Sequence, residues 1–300
     1  MAAPDRSRRL EVGQFSHPGR KRSNNEDWLG AFQPEDARRL STKGSLFLVA
    51  DGMGGHKSGE LASRQAVDHV VRVYMDDPTP DVAISLQQAV KSANAALYAT
   101  TQDQSDRRRS GTTLVAAVVR HDRLWIANVG DSRAYLLRNR ELCQISQDHS
   151  WAAAGAEGIG RHVITRALGL RPEVEVDIYK ERLHPGDRIL LCSDGLTTPL
   201  PEAEILEVAR RQPPQAVAEQ LVEKANERGG PDNVSVILIQ FGDQGAAFQS
   251  WLGLQTVINL YRDLEKEAKK RPALFLLLLL ILALILVGLG FFLGLVFFQA

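Results

Sequence analysis

Cysteine is nearly absent: Cys143 and Cys192 stand far apart in 300 residues, with no CxxC pair and no histidine at zinc-ligand spacing. That excludes a disulfide-stapled secreted domain and a zinc ribbon, and points to reduced, buried thiols in a cytoplasmic domain. Net charge is lacking too. Lys+Arg and Asp+Glu stand at 36 each, so no overall field draws in nucleic acid or another polyanion. Also missing are an N-terminal apolar export segment, an internal repeat and, before Phe241, any long Pro/Ser/Gly linker. What remains is ordinary: 44% hydrophobic residues suffice for a buried core in one large domain or two small ones.

After an N-terminal tail (1–9), residues 10–241 alternate strand-like and helix-like stretches and are expected to form one mixed domain. Runs rich in Val, Ile and Leu predict strands at 45–50, 113–119, 124–129, 134–138, 188–192 and 234–240. Three- and four-residue apolar spacing predicts a helix pair at 60–74 and 82–100, the second through Val82, Leu86, Ala89, Val90, Ala93 and Leu97. Short polar turns between consecutive strands predict antiparallel hairpins, with helices on the outer faces of the sheets.

The far end differs. Residues 273–298 run for about 26 positions without a charge, enough to cross ~30 Å of hydrocarbon with some tilt, and predict a transmembrane helix. Lys266, Lys269, Lys270 and Arg271 precede it, so the large N-terminal part is expected on the cytoplasmic side of a single-pass anchor. Gly290 and Gly294 make a GxxxG match on that helix. In the intervening 242–272 segment, Phe248, Trp251, Leu252, Val257, Ile258, Tyr261 and Leu264 recur near helical period. Such a helix can lie on the membrane, pair with a second copy, or pack on the main domain.

Chemistry is concentrated in carboxylates. Apolar runs end in Asp51, Asp131 and Asp194, and Asn25-Glu26-Asp27 and Asp232-Asn233 add further acids. One Asp-Gly alone is usually a turn. Several strands ending this way would converge their acids at one rim, where mutual repulsion calls for cations. Oxygen-only ligation favours Mg²⁺ or Mn²⁺ over zinc. Two such ions can share and acidify a water in line with a phosphorus atom.

The order and content of these motifs resemble the PPM (type 2C) metal-dependent protein serine/threonine phosphatases, bacterial members most closely. The match covers the chain from about Glu11 to Phe241. It rests on Arg22-Ser23-Asn24-Asn25-Glu26-Asp27, Val49-Ala50-Asp51-Gly52-Met53-Gly54-Gly55, Ser110-Gly111-Thr112-Thr113, Val129-Gly130-Asp131-Ser132-Arg133, Asp148-His149-Ser150, Thr165-Arg166-Ala167-Leu168-Gly169, Ser193-Asp194-Gly195-Leu196 and Asp232-Asn233-Val234-Ser235. The resemblance implies an α+β fold, an αββα four-layer sandwich of two antiparallel sheets flanked by helices. It also implies hydrolysis of phosphoserine and phosphothreonine proteins with two Mn²⁺ or Mg²⁺ ions. Asp51 resembles the carboxylate that bridges both ions. Glu26 and the Gly52 carbonyl resemble ligands of one ion, and Asp194 and Asp232 resemble ligands of the other. Asp27 is similar to the residue that holds metal-bound waters, and Asp131 matches a contributor to a third, weaker metal site. Arg22 matches the phosphate-binding arginine, whose guanidinium suits phosphoryl oxygens. A membrane Ser/Thr kinase and its targets are the expected partners, with the membrane itself engaged by the C-terminal helix.

The chain departs from the pattern in two places. Met53 stands where animal members carry a proton-donating His; His56 in the same loop is either its substitute or an ordinary turn residue. The flap segment, 151–160, is short beside the family's, which bears on substrate docking and on the third metal. Two other functions compete with the enzyme. A metal-free adaptor of this fold would be expected to lack ligand carboxylates, whereas Glu26, Asp51, Asp194 and Asp232 are all present. A hydrolase of nucleotides or small phosphates finds no nucleotide loop or base-stacking motif in its favour.

Overall fold

The computed structural model describes residues 10–54, 57–101, 110–151, 163–210 and 212–242. In chain order these form β1 (Leu10–His17), β2 (Asp27–Phe32), α1 (Ala37–Lys43), β3 (Ser45–Met53), α2 (Lys57–Asp76), α3 (Val82–Thr101), β4 (Gly111–Thr112), β5 (Leu114–Arg120), β6 (Arg123–Val129), β7 (Arg133–Arg138), β8 (Glu141–Gln144), β9 (Asp177–Arg182), β10 (Arg188–Cys192), α4 (Asp194–Thr197), α5 (Glu202–Ala209), α6 (Pro214–Glu227) and β11 (Val234–Phe241). The chain divides into two units after Asp243. The second unit, with the expected juxtamembrane segment and membrane helix, lies outside the described residues, as do His56 and nearly all of the short flap.

Side-chain alternation along the strands builds the layers. On β3, Leu46, Leu48 and Ala50 join α2 and α3 residues such as Val67, Val70, Leu86 and Val90 in one core. Phe47 and Val49, on the opposite face, meet Ile189, Leu191, Ile237 and Ile239 in a second core between the sheets. On β11, Val236 and Leu238 turn outward to Val217, Leu221 and Val222 of α6, a third core. Both faces of each central strand are therefore covered, which explains their unbroken apolar runs. The result is the four-layer αββα sandwich expected.

One sheet has the order β1-β11-β10-β7-β8; the other runs β2-β3-β5-β6-β9, with β4 attached to β3. Every strand pairing is antiparallel. The β7–β8 hairpin closes through Asn139 and Arg140, both at positive φ (51° and 69°), as a two-residue type I′ turn requires. Helix starts follow capping chemistry. Asp36 accepts from Arg39 N–H at 2.7 Å before α1, and Asp81 accepts from Ala83 N–H at 2.8 Å before α3.

Two expectations need correction. Cys143 is exposed, because it lies on β8, an edge strand of which only Leu142 packs on the core; Cys192 is buried, and burial pushes its thiol up to about 12. Strand β3 does not stop at Ala50 but continues through Asp51 and Gly52 to Met53, where Gly52 and Met53 pair with β4.

Candidate active site

One end of the sandwich collects the start of β2, the end of β3, the β6–β7 turn, the β10–α4 junction and the approach to β11. These are the places where the sequence puts its acids. Asp27 and Asp51 are register partners across β2 and β3, two like charges opposite each other. Asp27 is buried. Burial, opposed by hydrogen bonds from Ser235 and Ser193 and reinforced by the charges of Asp194 and Asp232, raises it to about 7. Asp51 is held well above the ordinary carboxylate range by burial and by the charges of Asp27, Asp194, Asp131 and Asp232. Asp131, also buried, is raised to about 7 by burial and then by Asp194. The structure thus brings Asp27, Asp51, Asp131, Asp194 and Asp232 into one electrostatic group.

Ordinary polar residues hold the acids in place. Ser193 Oγ donates to Asp27 Oδ2 at 2.8 Å and accepts from Ser235 N–H at 3.0 Å. Thr113 Oγ1 accepts from Asp51 N–H at 3.0 Å, while Thr113 N–H and Thr112 Oγ1 both donate to the Asp51 carbonyl. Asn233 stitches three segments: its Oδ1 accepts from Glu26 N–H at 2.8 Å, and its Nδ2 donates to the Pro18 and Asn24 carbonyls. Glu26 is fastened further, since its carbonyl accepts from Gly52 N–H at 3.1 Å and Ser63 Oγ at 2.6 Å. Its carboxylate lies against Gly59 in the first turn of α2, where an added Cβ would collide with Glu26 Oε2. A side chain at 59 would push the carboxylate aside.

Asp131 depends on a histidine. Gly130, at φ 109°, donates its N–H to His149 Nδ1 at 3.0 Å, and its carbonyl accepts from His149 N–H at 2.9 Å. An accepting Nδ1 leaves the ring proton on Nε2, which faces Asp177 Oδ2 at 3.1 Å. Arg166 donates to Asp177 Oδ1 at 2.8 Å, and these two bonds outweigh burial to hold Asp177 below the usual carboxylate range. Nearby, Arg133 grips Asp148 through Nε and Nη2 at 3.0 and 2.7 Å.

Arg22 reaches this rim and donates from Nη2 to Asp232 Oδ2 at 2.8 Å. Among the described residues no three acidic or imidazole side chains stand close enough to enclose an ion as placed. Buried oxygens without a hydrogen-bond partner nonetheless include Asp27 Oδ1 and Asp131 Oδ1. Burying an unpaired carboxylate oxygen is costly, so an oxygen-seeking cation fits this donor set. Ser193, Ser235, Asn233, Thr113, His149 and Gly59 all shape the site, although sequence reasoning assigned none of them a task there. All but Gly59 lie inside the quoted motifs, which was the available signal.

A family profile for protein phosphatase 2C matches residues 20–231. The chain belongs to the protein phosphatase 2C family. It is 35% identical over 238 residues to the serine/threonine phosphatase stp of Listeria innocua, covering 74% of this chain and 92% of that protein. It is 37% identical over 245 residues to the serine/threonine protein phosphatase PstP of Mycobacterium tuberculosis, covering 78% of this chain and 45% of the longer relative. The crystal structure of that PstP superposes with a TM-score of 0.69 at 35% identity, covering 78% of this chain and 99% of that one. A further structure of the PstP catalytic domain, in complex with two manganese ions, gives a TM-score of 0.68 at 34% identity, covering 78% of this chain and 99% of that one.

Proposed function

We propose that this 2C-family phosphatase hydrolyses phosphoserine and phosphothreonine in proteins with two divalent ions, Mn²⁺ or Mg²⁺, held at the carboxylate rim. The observation that carries the reading is the group of buried or crowded aspartates, Asp27, Asp51 and Asp131, each pushed above its ordinary range by burial and then by neighbouring carboxylates, Asp194 among them. Such a group is stable with its protons lost only when positive charge is supplied.

When bound, the ions neutralise these carboxylates and lower the pKa of the water they share. Asp51, which feels the charges of Asp27, Asp194, Asp131 and Asp232, would hold both ions. Glu26 and the Gly52 carbonyl would hold one of them, Asp194 and Asp232 the other, and Asp131 a third, weaker one. Asp27, fixed by Ser193 and Ser235, orients water at the rim. Arg22, half exposed beside it, takes the phosphate oxygens of the substrate and holds the phosphorus over the carboxylates.

We place the domain at the cytoplasmic face of a membrane, tethered through 273–298. Among the described residues no helix is long and apolar enough to cross a membrane, so this part rests on the uncharged run and the basic residues before it. A membrane Ser/Thr kinase and its targets are then natural partners.

The test is hydrolysis of a phosphothreonine peptide by the full chain with Mn²⁺, against the same assay with chelator and against a nucleotide. Metal-dependent turnover of the peptide and little of the nucleotide is expected. Equal turnover of both would favour a small-phosphate hydrolase, and no turnover with Mn²⁺ present would favour an adaptor. Membrane fractions washed in high salt should retain the chain, because screening releases a basic cluster but not a spanning helix.

A further inference from the structure

Among the described residues, Arg22 is a cation that the chain sets directly against the carboxylate rim. Besides its 2.8 Å contact with Asp232, it is attracted by Glu26 and Asp51. The pair is open to solvent, with side chains 56% and 38% exposed, so either partner can exchange the other for a ligand. It is also unnecessary for holding the backbone together. Arg20 N–H already donates to the Gly230 carbonyl at 2.8 Å, and Asn233 Nδ2 donates to the Pro18 and Asn24 carbonyls at 2.9 and 2.8 Å. Those bonds fasten the loop between β1 and β2 to the segment before β11 without help from Arg22.

We infer that Arg22 is a built-in counter-cation for Asp232, displaced when a divalent ion takes that carboxylate and drawn away when a phosphate group takes the guanidinium. The inference rests on the reading of Asp232 as a metal ligand and of Arg22 as the phosphate contact. Asp232 holds the Nη2 donor of Arg22, and a phosphate gripped through both Nη groups needs that same donor, so the carboxylate and the phosphate compete for it. Each ligand therefore relieves a cost for the other, and by linkage metal loading and phosphate capture tighten one another by the same factor. An empty site keeps its charge balanced, and a phosphorylated substrate helps complete the metal centre that will cleave it.

The size of the effect follows from the exposure of the pair. Solvent-exposed ion pairs shift an equilibrium by a factor of roughly 1.4 to 5. Removing Arg22 should therefore tighten ion binding at one site by about two- to fivefold. The measurement is a Mn²⁺ titration of the full chain in detergent, with free Mn²⁺ followed by its electron paramagnetic resonance signal, with and without inorganic phosphate. Arg22→Ala and Arg22→Met, the second keeping an unbranched apolar stem, are expected to bind one ion about two- to fivefold tighter than the unaltered chain. Arg20→Ala removes the same charge from an exposed pair with Glu223 and should leave Mn²⁺ affinity unchanged. Phosphate should tighten Mn²⁺ binding more in the unaltered chain than in either Arg22 variant.

Equal or weaker Mn²⁺ binding by both Arg22 variants overturns the inference. So does equal tightening by Arg20→Ala, which would make the effect one of net charge. The underlying assignment fails separately: Asp232→Asn should lose one ion, and if it binds as many as the unaltered chain, Asp232 is not a ligand.

Discussion

The two ends of the sandwich treat charge in opposite ways. At one end Asp27, Asp51, Asp131, Asp194 and Asp232 crowd together, and buried carboxylate oxygens of Asp27 and Asp131 find no hydrogen-bond partner. At the other end, where β7 finishes and β10 begins, Arg138 donates to both oxygens of buried Asp187 at 3.0 and 2.7 Å, and Asp187 also accepts from His184 N–H. Buried Arg188 donates to Gln240 Oε1 at 2.7 Å and to the Gln212 carbonyl. Buried Lys43 donates to Ser85 Oγ, and Tyr74 OH donates to the Lys43 carbonyl. The same strands run between the two ends. The far end spends its polar groups on fastening, while the near end stores repulsion that a ligand can relieve, and this places stability and function at opposite poles of one core.

The comparison breaks most visibly at Asp51. Asp51→Asn should lower kcat/KM for a phosphopeptide by on the order of 10²–10³ or more, the range seen when one charge-organising group is removed from a catalytic site. In chelator the same variant should melt no lower than the unaltered chain, because one member of the repelling group has been neutralised. Steady-state kinetics and a thermal melt check both halves. Near-normal turnover at saturating Mn²⁺ would remove Asp51 from the centre of the site.

Asp187→Ala should do the reverse. It strands Arg138 and the His184 N–H, a loss of about 2–3 kcal/mol for a partly buried pair, or roughly 5–10 °C in Tm. Turnover per folded molecule at low temperature should be unchanged. A drop in kcat with Tm preserved would mean that the far end feeds into catalysis.

Legibility in the sequence followed the same division. Strands covered on both faces, such as β3, β5, β10 and β11, were readable because burial on two sides writes an uninterrupted apolar run. Helices α2 and α3 were readable by their period. Strands β1, β2 and β9 were not, since they are partly exposed and mix polar with apolar residues. Helix α6 was not among the expected helices; it begins at Pro213 and Pro214, whose fixed φ suits a helix start. At the site, the carboxylates stood out as acids ending apolar strands. Their fastenings did not: Ser193 meets Asp27 across 166 positions of sequence, and an ordinary serine gives no local sign of such a contact. Gly59 is explained only by the Glu26 carboxylate lying against it.

The smallest expected effect separates the two ends by pH. Asp27 and Asp131 sit near 7 in the folded chain, above the 3.8 expected of an ordinary aspartate. Between those values the folded chain holds protons that the unfolded chain has lost. Stability without metal must therefore fall as pH rises from about 4 through about 7, and level off above that. Tm in chelator is expected to drop between pH 5 and pH 8. Divalent ions bind the ionised carboxylates, so their stabilisation grows over the same interval and should flatten or invert the trend when Mn²⁺ is present. Asp131→Asn should reduce the slope in chelator. A metal-free Tm that climbs from pH 5 to pH 8 would mean that the rim carboxylates are not held in tension, and the contrast between the two ends would lose its physical basis.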